Sequence, residues 1–375
     1  MKKFLCIALL IASNNVLSQT TFAEVTPRRA AGDMSFEFKN HRYPASSTPL
    51  ILPSRNPVGK EVDIVQQARQ MASENPLLSI IMVERGEIIF EAYNSPASAT
   101  RPNFSWSMSK SLTAYTLGLM NCETNLIDYN SPAQNYSDDL KGTVYGEATV
   151  RNLLTMSSGI RKALSSGDHL WKKDGCTSGT DCDGWELGRS QRLSGVEYLN
   201  KVKERDTDSG KEFRYSGTDT LALSNIVDKN GGFIKQFEQH IWSKIGAESA
   251  GYWLLDKDNK AISQAGFSAT TRDWAKLAMY MVHLSKKGTA CQQQFIKDAT
   301  SPQITNYGNT GRLYREYGYQ TWINTSGPRP SYWWVGYGGQ RVAVDPEKER
   351  ILVVTSYKES YMVKVRDLFV DWQNN

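Results

Sequence analysis

The sequence predicts an α/β protein: an antiparallel sheet of about five strands, contributed by both chain ends and flanked by helices, plus a mainly helical lobe. Three observations carry this. An apolar hairpin lies near the start, further strands with a tight turn lie near the end, and the stretch between them repeats its apolar residues at helical spacing. With 40% hydrophobic and 22% charged residues over 375 positions, the chain can bury a sizeable core, which excludes an intrinsically disordered protein.

The opening MKKFLCIALLIASNNVLSQTTFAEV sets two lysines before a short apolar run and small residues, the layout of a secretory signal peptide with cleavage after Ser18 or Ala23. The run is shorter than the roughly 20 apolar residues of a membrane span. Residues 1–23 are therefore expected to leave, placing the protein in the periplasm or outside the cell with no stable membrane insertion. Losing Lys2 and Lys3 takes the net charge from +5 to +3, with no basic cluster to attract nucleic acid. Residues 24–375 are expected to form a single domain. Its α/β lobe would comprise 55–105 and 300–375, and its helical lobe 106–299.

Each element has its own signal. Residues 24–60, rich in Pro, Ser and Arg, read as an extended arm, and a short helix follows over 61–73. LLSIIMVERGEIIFEAYN is a hairpin turning at Arg85-Gly86. In FSWSMSKSLTAYTLGLMNC, Leu112, Tyr115, Leu119 and Met120 repeat at helical spacing, so a buried central helix opens at the SMSK segment. The pattern over 149–297 is mostly helical, interrupted by a polar loop at 165–189 that carries Trp171 and Trp185. A loop of that length in a compact domain suits a lid or binding loop. TTRDWAKLAMYMVHLSKKG is the clearest helix of this stretch. YGYQTWIN and GQRVAVDPEKERILVVTSY read as strands, and YMVKVRDLFVDWQ as a closing helix.

Cys6 leaves with the leader, and Cys122, Cys176, Cys182 and Cys291 remain, an even number in an exported chain. Cys176 and Cys182 bracket the short loop CTSGTDC and are the first candidates for a disulfide, although three connectivities are open. His41, His169, His240 and His283 are scattered and none sits beside the cysteines at ligand spacing, so no metal site is implied.

Ser107-Met108-Ser109-Lys110 carries the chemistry. Residues three apart on a helix share a face, which brings a hydroxyl within reach of an amine. A serine hydroxyl needs a neighbouring base, and a desolvated lysine can lose its proton and act as one. On its own S-x-x-K is weak, since about one or two matches arise by chance in a chain this long. It occurs here only at Ser107, at the start of an apolar helix preceded by Phe104 and Trp106.

FSWSMSKSLTAYTLGLM, TVRNLLTMSSGI, GKEFRYSGTDTLALSNIV and GYGGQRVAVDPEKERILVVTS follow one another as do the landmarks of class C β-lactamase-related serine hydrolases, which the chain resembles over most of residues 79–372. The resemblance implies a β-lactamase/transpeptidase-like fold and an acyl-enzyme on Ser107, activated by Lys110. It needs no cofactor. It also implies that Tyr215 shares the proton transfer, that the backbone amides of Ser107 and Tyr337 form an oxyanion hole, and that Gly217, Trp334, Gly336 and Gly338 line the substrate site.

Two departures narrow the expected substrate. Gly217 stands where the family's Tyr-x-Asn element has asparagine, and Trp334 stands where its third element has a lysine or histidine that meets a substrate carboxylate. Tryptophan cannot make that charge-assisted bond. The GYGGQ form is closer to relatives of the 6-aminohexanoate-dimer hydrolase and esterase type. A small-molecule amide or ester is therefore the expected substrate. A class C-type β-lactamase or D-alanyl-D-alanine carboxypeptidase is the alternative, and a catalytically silent periplasmic binding module is a third. Trp171, Trp185, Trp333 and Trp334 either wall an apolar cleft or pack in the core.

Overall fold

The structure is a computed structural model that describes residues 27–74, 76–160, 194–202, 205, 207–307 and 313–375. The proposed leader, the 165–189 loop with Trp171 and Trp185, and the Cys176 and Cys182 pair lie outside the described residues.

The hairpin forms as expected. Strands β2 (Leu77–Glu84) and β3 (Glu87–Tyr93) pair around Arg85 and Gly86, whose φ values of 50° and 83° give the double left-handed turn that suits strand twist. From the other end of the chain come β10 (Ser331–Gly336), β11 (Gln340–Asp345) and β12 (Arg350–Ser356). β12 pairs with β2, so the two chain ends close one antiparallel sheet. Three short strands extend it beyond the five anticipated: β7 (Ile304–Thr305), β8 (Glu316–Tyr317) and β9 (Trp322–Asn324), giving the order β3-β2-β12-β11-β10-β9-β8-β7. YGYQTWIN is thus not one strand but spans a turn between two. Gln320 adopts φ 50° there, because its backbone N–H donates to Leu154 O and its side chain bonds Leu153 O and Thr220 Oγ1.

Helices cover both faces of the sheet. Ile80, Met82, Leu352 and Val354 face α1 (Glu61–Ala72) and a closing helix, Met362–Gln373. Ile81, Val83, Val342 and Val353 face the opposite way, toward α2 (Ser109–Thr124) and the helix Thr271–Lys287. β2 and β12 are buried along their whole length, which is why they read as continuous apolar runs instead of alternating. Residues Ser109 through Asn121 of α2 are all buried, so this is the central helix its composition suggested.

The stretch expected to be mostly helical contains two strands, β5 (Gly251–Leu254) and β6 (Phe267–Ala269). With β1 (Asn40–Tyr43) of the N-terminal arm and β4 (Asn103–Phe104) they form a second sheet, ordered β1-β5-β6-β4. Periodicity cannot separate apolar runs this short from helix, and here pairing decides. This sheet bears directly on the Ser107 segment, because β4 runs into it and Ser105 N donates to Phe267 O at 2.8 Å.

A disulfide joins Cys122 at the end of α2 to Cys291 in the helix Ala290–Ala299.

Candidate active site

Between residues 102 and 110 every side chain but that of Ser107 is buried. Ser107 sits in a 3-10 turn, Trp106–Met108, that leads into α2, and Trp106 is held at φ 48°. A bulky residue in the left-handed region is strained and persists only where packing imposes it. Phe104 and Tyr337 hold the Trp106 ring edge-on at 5.1 and 5.6 Å. The strained turn presents the Ser107 hydroxyl, and its N–H is among the donors that the first turn of a helix leaves without an intrahelical acceptor.

One helical turn on, Lys110 is almost wholly buried and donates to Ser107 Oγ at 3.2 Å and to the Gln264 carbonyl. Its Nζ lies 5.3 Å from the centre of the Tyr215 ring. Tyr215 thus stands beside the pair, close enough for the Ser107 hydroxyl to act on its phenol. Burial pushes the phenol well above its ordinary range, against the pull of the Ser107 hydroxyl and of the Arg341 charge, so Tyr215 rests protonated. Hydroxyl, amine and phenol, 108 residues apart in the chain at the extremes, therefore meet in one cluster.

Tyr215 is placed by a turn that sequence reading did not assign a role. Met156 lies at φ 55°; its carbonyl accepts from Arg214 N at 2.7 Å and its sulfur from Ser216 N at 3.3 Å. Ser216 then caps α3 (Gly217–Lys229), so Gly217 occupies the first helical position and offers no side chain. On the next residues of α3, the buried carboxyl of Asp219 accepts from Ser158 Oγ at 2.7 Å and more weakly from Ser158 N. The TMSSG turn and the tyrosine segment are thereby stitched together.

Asp219 also makes stability depend on pH. Burial, the larger effect, raises its pKa from 3.8 to about 7, while the Ser158 bonds oppose the rise. The folded state holds the proton more tightly, so this stabilisation is complete below pH 4 and lost as pH rises through 7. Asp219→Asn is expected to gain up to roughly 4 kcal/mol over the wild type at pH 8 and nothing at pH 4, read from urea denaturation at the two values.

The end of β10 faces the turn that carries Ser107. A Cβ built on Gly336 would stand 2.1 Å from Ser105 O, so only glycine lets strand and turn approach this closely. Tyr337, half-exposed, follows at the tip, and Gly338 and Gly339 turn the chain with φ 74° and 96°. Gly336→Ala is expected to push the tip away and lower kcat/KM about a hundredfold, with the folded state retained by circular dichroism.

Trp334 is corrected by the structure. It is fully buried on the α2 side of the sheet, against Tyr115 at 5.7 Å and Trp274 at 6.2 Å, with its indole N–H toward the Tyr115 hydroxyl. A side chain with no exposed surface cannot touch a substrate. Trp333 points to the other face and packs on Tyr314 and Phe369, so both tryptophans belong to the core. Gly336 and Gly338 do lie at the strand tip, and the Lys110 partner Gln264 was missed because a backbone carbonyl leaves no mark in a sequence.

A family model for Beta-lactamase matches residues 65–370. The chain belongs to the beta-lactamase family. Among solved structures, a candidate 6-aminohexanoate-dimer hydrolase from Bacillus anthracis is similar at 19% identity and a TM-score of 0.75, over 92% of this chain and 93% of that one. A beta-lactamase/D-alanine carboxypeptidase from Pseudomonas syringae is similar at 15% identity and a TM-score of 0.62, over 84% and 99%. A D-stereospecific amidohydrolase from Streptomyces is similar at 14% and 0.59, over 79% and 94%. No curated protein matches the chain in sequence. At these identities the likenesses establish the β-lactamase/transpeptidase-like fold. Family membership, with the fold, makes the protein a serine hydrolase acting on amide or ester bonds.

Proposed function

We propose that this beta-lactamase-family hydrolase cleaves the amide or ester bond of a small substrate through an acyl-enzyme on Ser107, in the manner of 6-aminohexanoate-dimer hydrolases and esterases. The observation that carries the proposal is the cluster of Ser107 with Lys110 at 3.2 Å and the protonated Tyr215. Lys110, as the neutral amine, takes the Ser107 proton as the oxygen attacks the carbonyl. Tyr215 hands its proton to the leaving nitrogen or oxygen and takes in its place the proton that Lys110 removed from Ser107. The amides of Ser107 and Tyr337 receive the oxyanion. Water, activated by the same groups, releases the acyl portion.

The substrate preference rests on the third family element. Position 334 carries no cation and its side chain lies in the core, which disfavours capture of a carboxylate there. The TM-score of 0.75 to the candidate 6-aminohexanoate-dimer hydrolase supports the same reading. The second reading, a β-lactamase or D-alanyl-D-alanine carboxypeptidase, draws on the Pseudomonas syringae likeness.

A fluorophosphonate probe followed by peptide mass spectrometry is expected to place an adduct on Ser107. A folded protein without that adduct would return the chain to the silent binding module. Turnover of chromogenic esters, short amides and amino-acid dimers above that of nitrocefin is expected; nitrocefin as the best substrate would move the assignment to the second reading.

We extend the proposal to location. The Cys122–Cys291 disulfide suits an oxidising compartment, consistent with export by the leader-like start. Among the described residues no helix is long and apolar enough to cross a membrane.

A further inference from the structure

The tip between β10 and β11 poses a mechanical problem. It must aim the Tyr337 N–H at a developing oxyanion, yet two of its residues are glycines at positive φ, which bring no stiffness of their own. Three side chains brace it. Buried Arg341 donates through Nη1 to Gly336 O at 2.7 Å and Gln340 O at 2.8 Å, and through Nη2 to Glu359 Oε2 at 2.7 Å. The other oxygen of Glu359 accepts from Gly339 N at 3.2 Å. Gln340 donates to Tyr337 O at 3.2 Å and is tied to Ser356 at both ends of its amide.

The bond to Gly336 O is the informative one. That carbonyl and the Tyr337 N–H belong to the same peptide unit, which is planar and trans, so they point in opposite directions. Whatever fixes the carbonyl aims the amide. A guanidinium on the carbonyl also polarises the peptide, making its N–H a stronger donor, and does so where little water screens it.

We propose that Arg341, held by Glu359, is the positioning residue that aims and polarises the Tyr337 oxyanion donor. The inference rests on the reading of Ser107 as nucleophile and Tyr337 N–H as half of the oxyanion hole. The cation missing at position 334 thus has a counterpart one strand away, where Arg341 pairs across from Val335 and works from behind the strand. Its charge also reaches Tyr215, favouring the ionised phenol and so easing proton release.

Arg341→Met, Arg341→Lys and Glu359→Gln test it on the full chain. Readouts are kcat and KM on the best chromogenic ester, affinity for a boronic acid that mimics the tetrahedral intermediate, and Tm. Arg341→Met is expected to lower kcat tenfold to a hundredfold with KM within about threefold, and to weaken the boronic acid in parallel. Arg341→Lys, a point charge that cannot reach all three acceptors, is expected to fall between. A folded Arg341→Met with unchanged kcat and boronic acid affinity overturns the inference. Should that variant fail to fold, Glu359→Gln decides, since its carboxyl is half-exposed: about a threefold to tenfold loss of kcat at unchanged Tm supports the inference, and no loss overturns it. A wild type that turns over substrate without labelling at Ser107 fails the underlying reading instead.

Discussion

Ser107→Ala lowers kcat for the best substrate by about 10⁴-fold or more while Tm stays within a few degrees of the wild type. Removal of a nucleophile that works with a paired base costs roughly this much in other serine hydrolases, and what survives comes from binding and the oxyanion hole. Lys110→Ala is expected to lose nearly as much, because the two groups act as one unit bonded at 3.2 Å. The double variant should then be little worse than either single change. Tyr215→Phe removes only the proton relay, and a loss of 10²- to 10⁴-fold is expected. Steady-state kinetics on purified variants, with circular dichroism as the folding control, checks all four. Additive losses in the double variant would argue that Lys110 acts elsewhere than on Ser107.

Cys122→Ser with Cys291→Ser is expected to cost about 2–5 kcal/mol of stability. The cross-link closes a span of 169 residues, and a bond across so long a loop removes much of the freedom of the unfolded chain. It also ties the far end of α2, whose near end carries Lys110, to a neighbouring helix that packs on it. Urea denaturation should show a lower midpoint for the variant, with kcat at 25 °C close to that of the wild type. A matching midpoint would mean that native strain cancels the gain.

Much of this site was legible in the sequence, for identifiable reasons. Ser107 and Lys110 are three residues apart on a helix, so their meeting is a local matter. The Arg85-Gly86 turn is equally local, since its backbone conformation depends on two residues. Tyr215 was reachable only through its motif, because 105 residues separate it from Lys110 and no periodicity spans that gap.

Other parts were not legible. SYWWVG is apolar at Tyr332, Trp333 and Trp334, and all three are buried because helices cover both faces of the sheet. With no polar residue to mark a solvent face, alternation cannot say which tryptophan points where. That is how Trp334 came to be expected at the substrate. The strands β5 and β6 were too short to be told from helix, and their outer partners, β1 beside β5 and β4 beside β6, lie more than 150 residues away in the chain.

By itself, then, the sequence determined the meeting of Ser107 with Lys110, the sheet built from both chain ends and the family, because each depends on neighbouring residues or on a motif. Tertiary structure decided the rest: that Trp334 lies in the core, that the Gln264 carbonyl receives Lys110, and that Arg341 holds the Gly336 carbonyl at the end of β10. These depend on backbone groups and strand faces meeting across long stretches of chain, and neither leaves a pattern in the order of side chains.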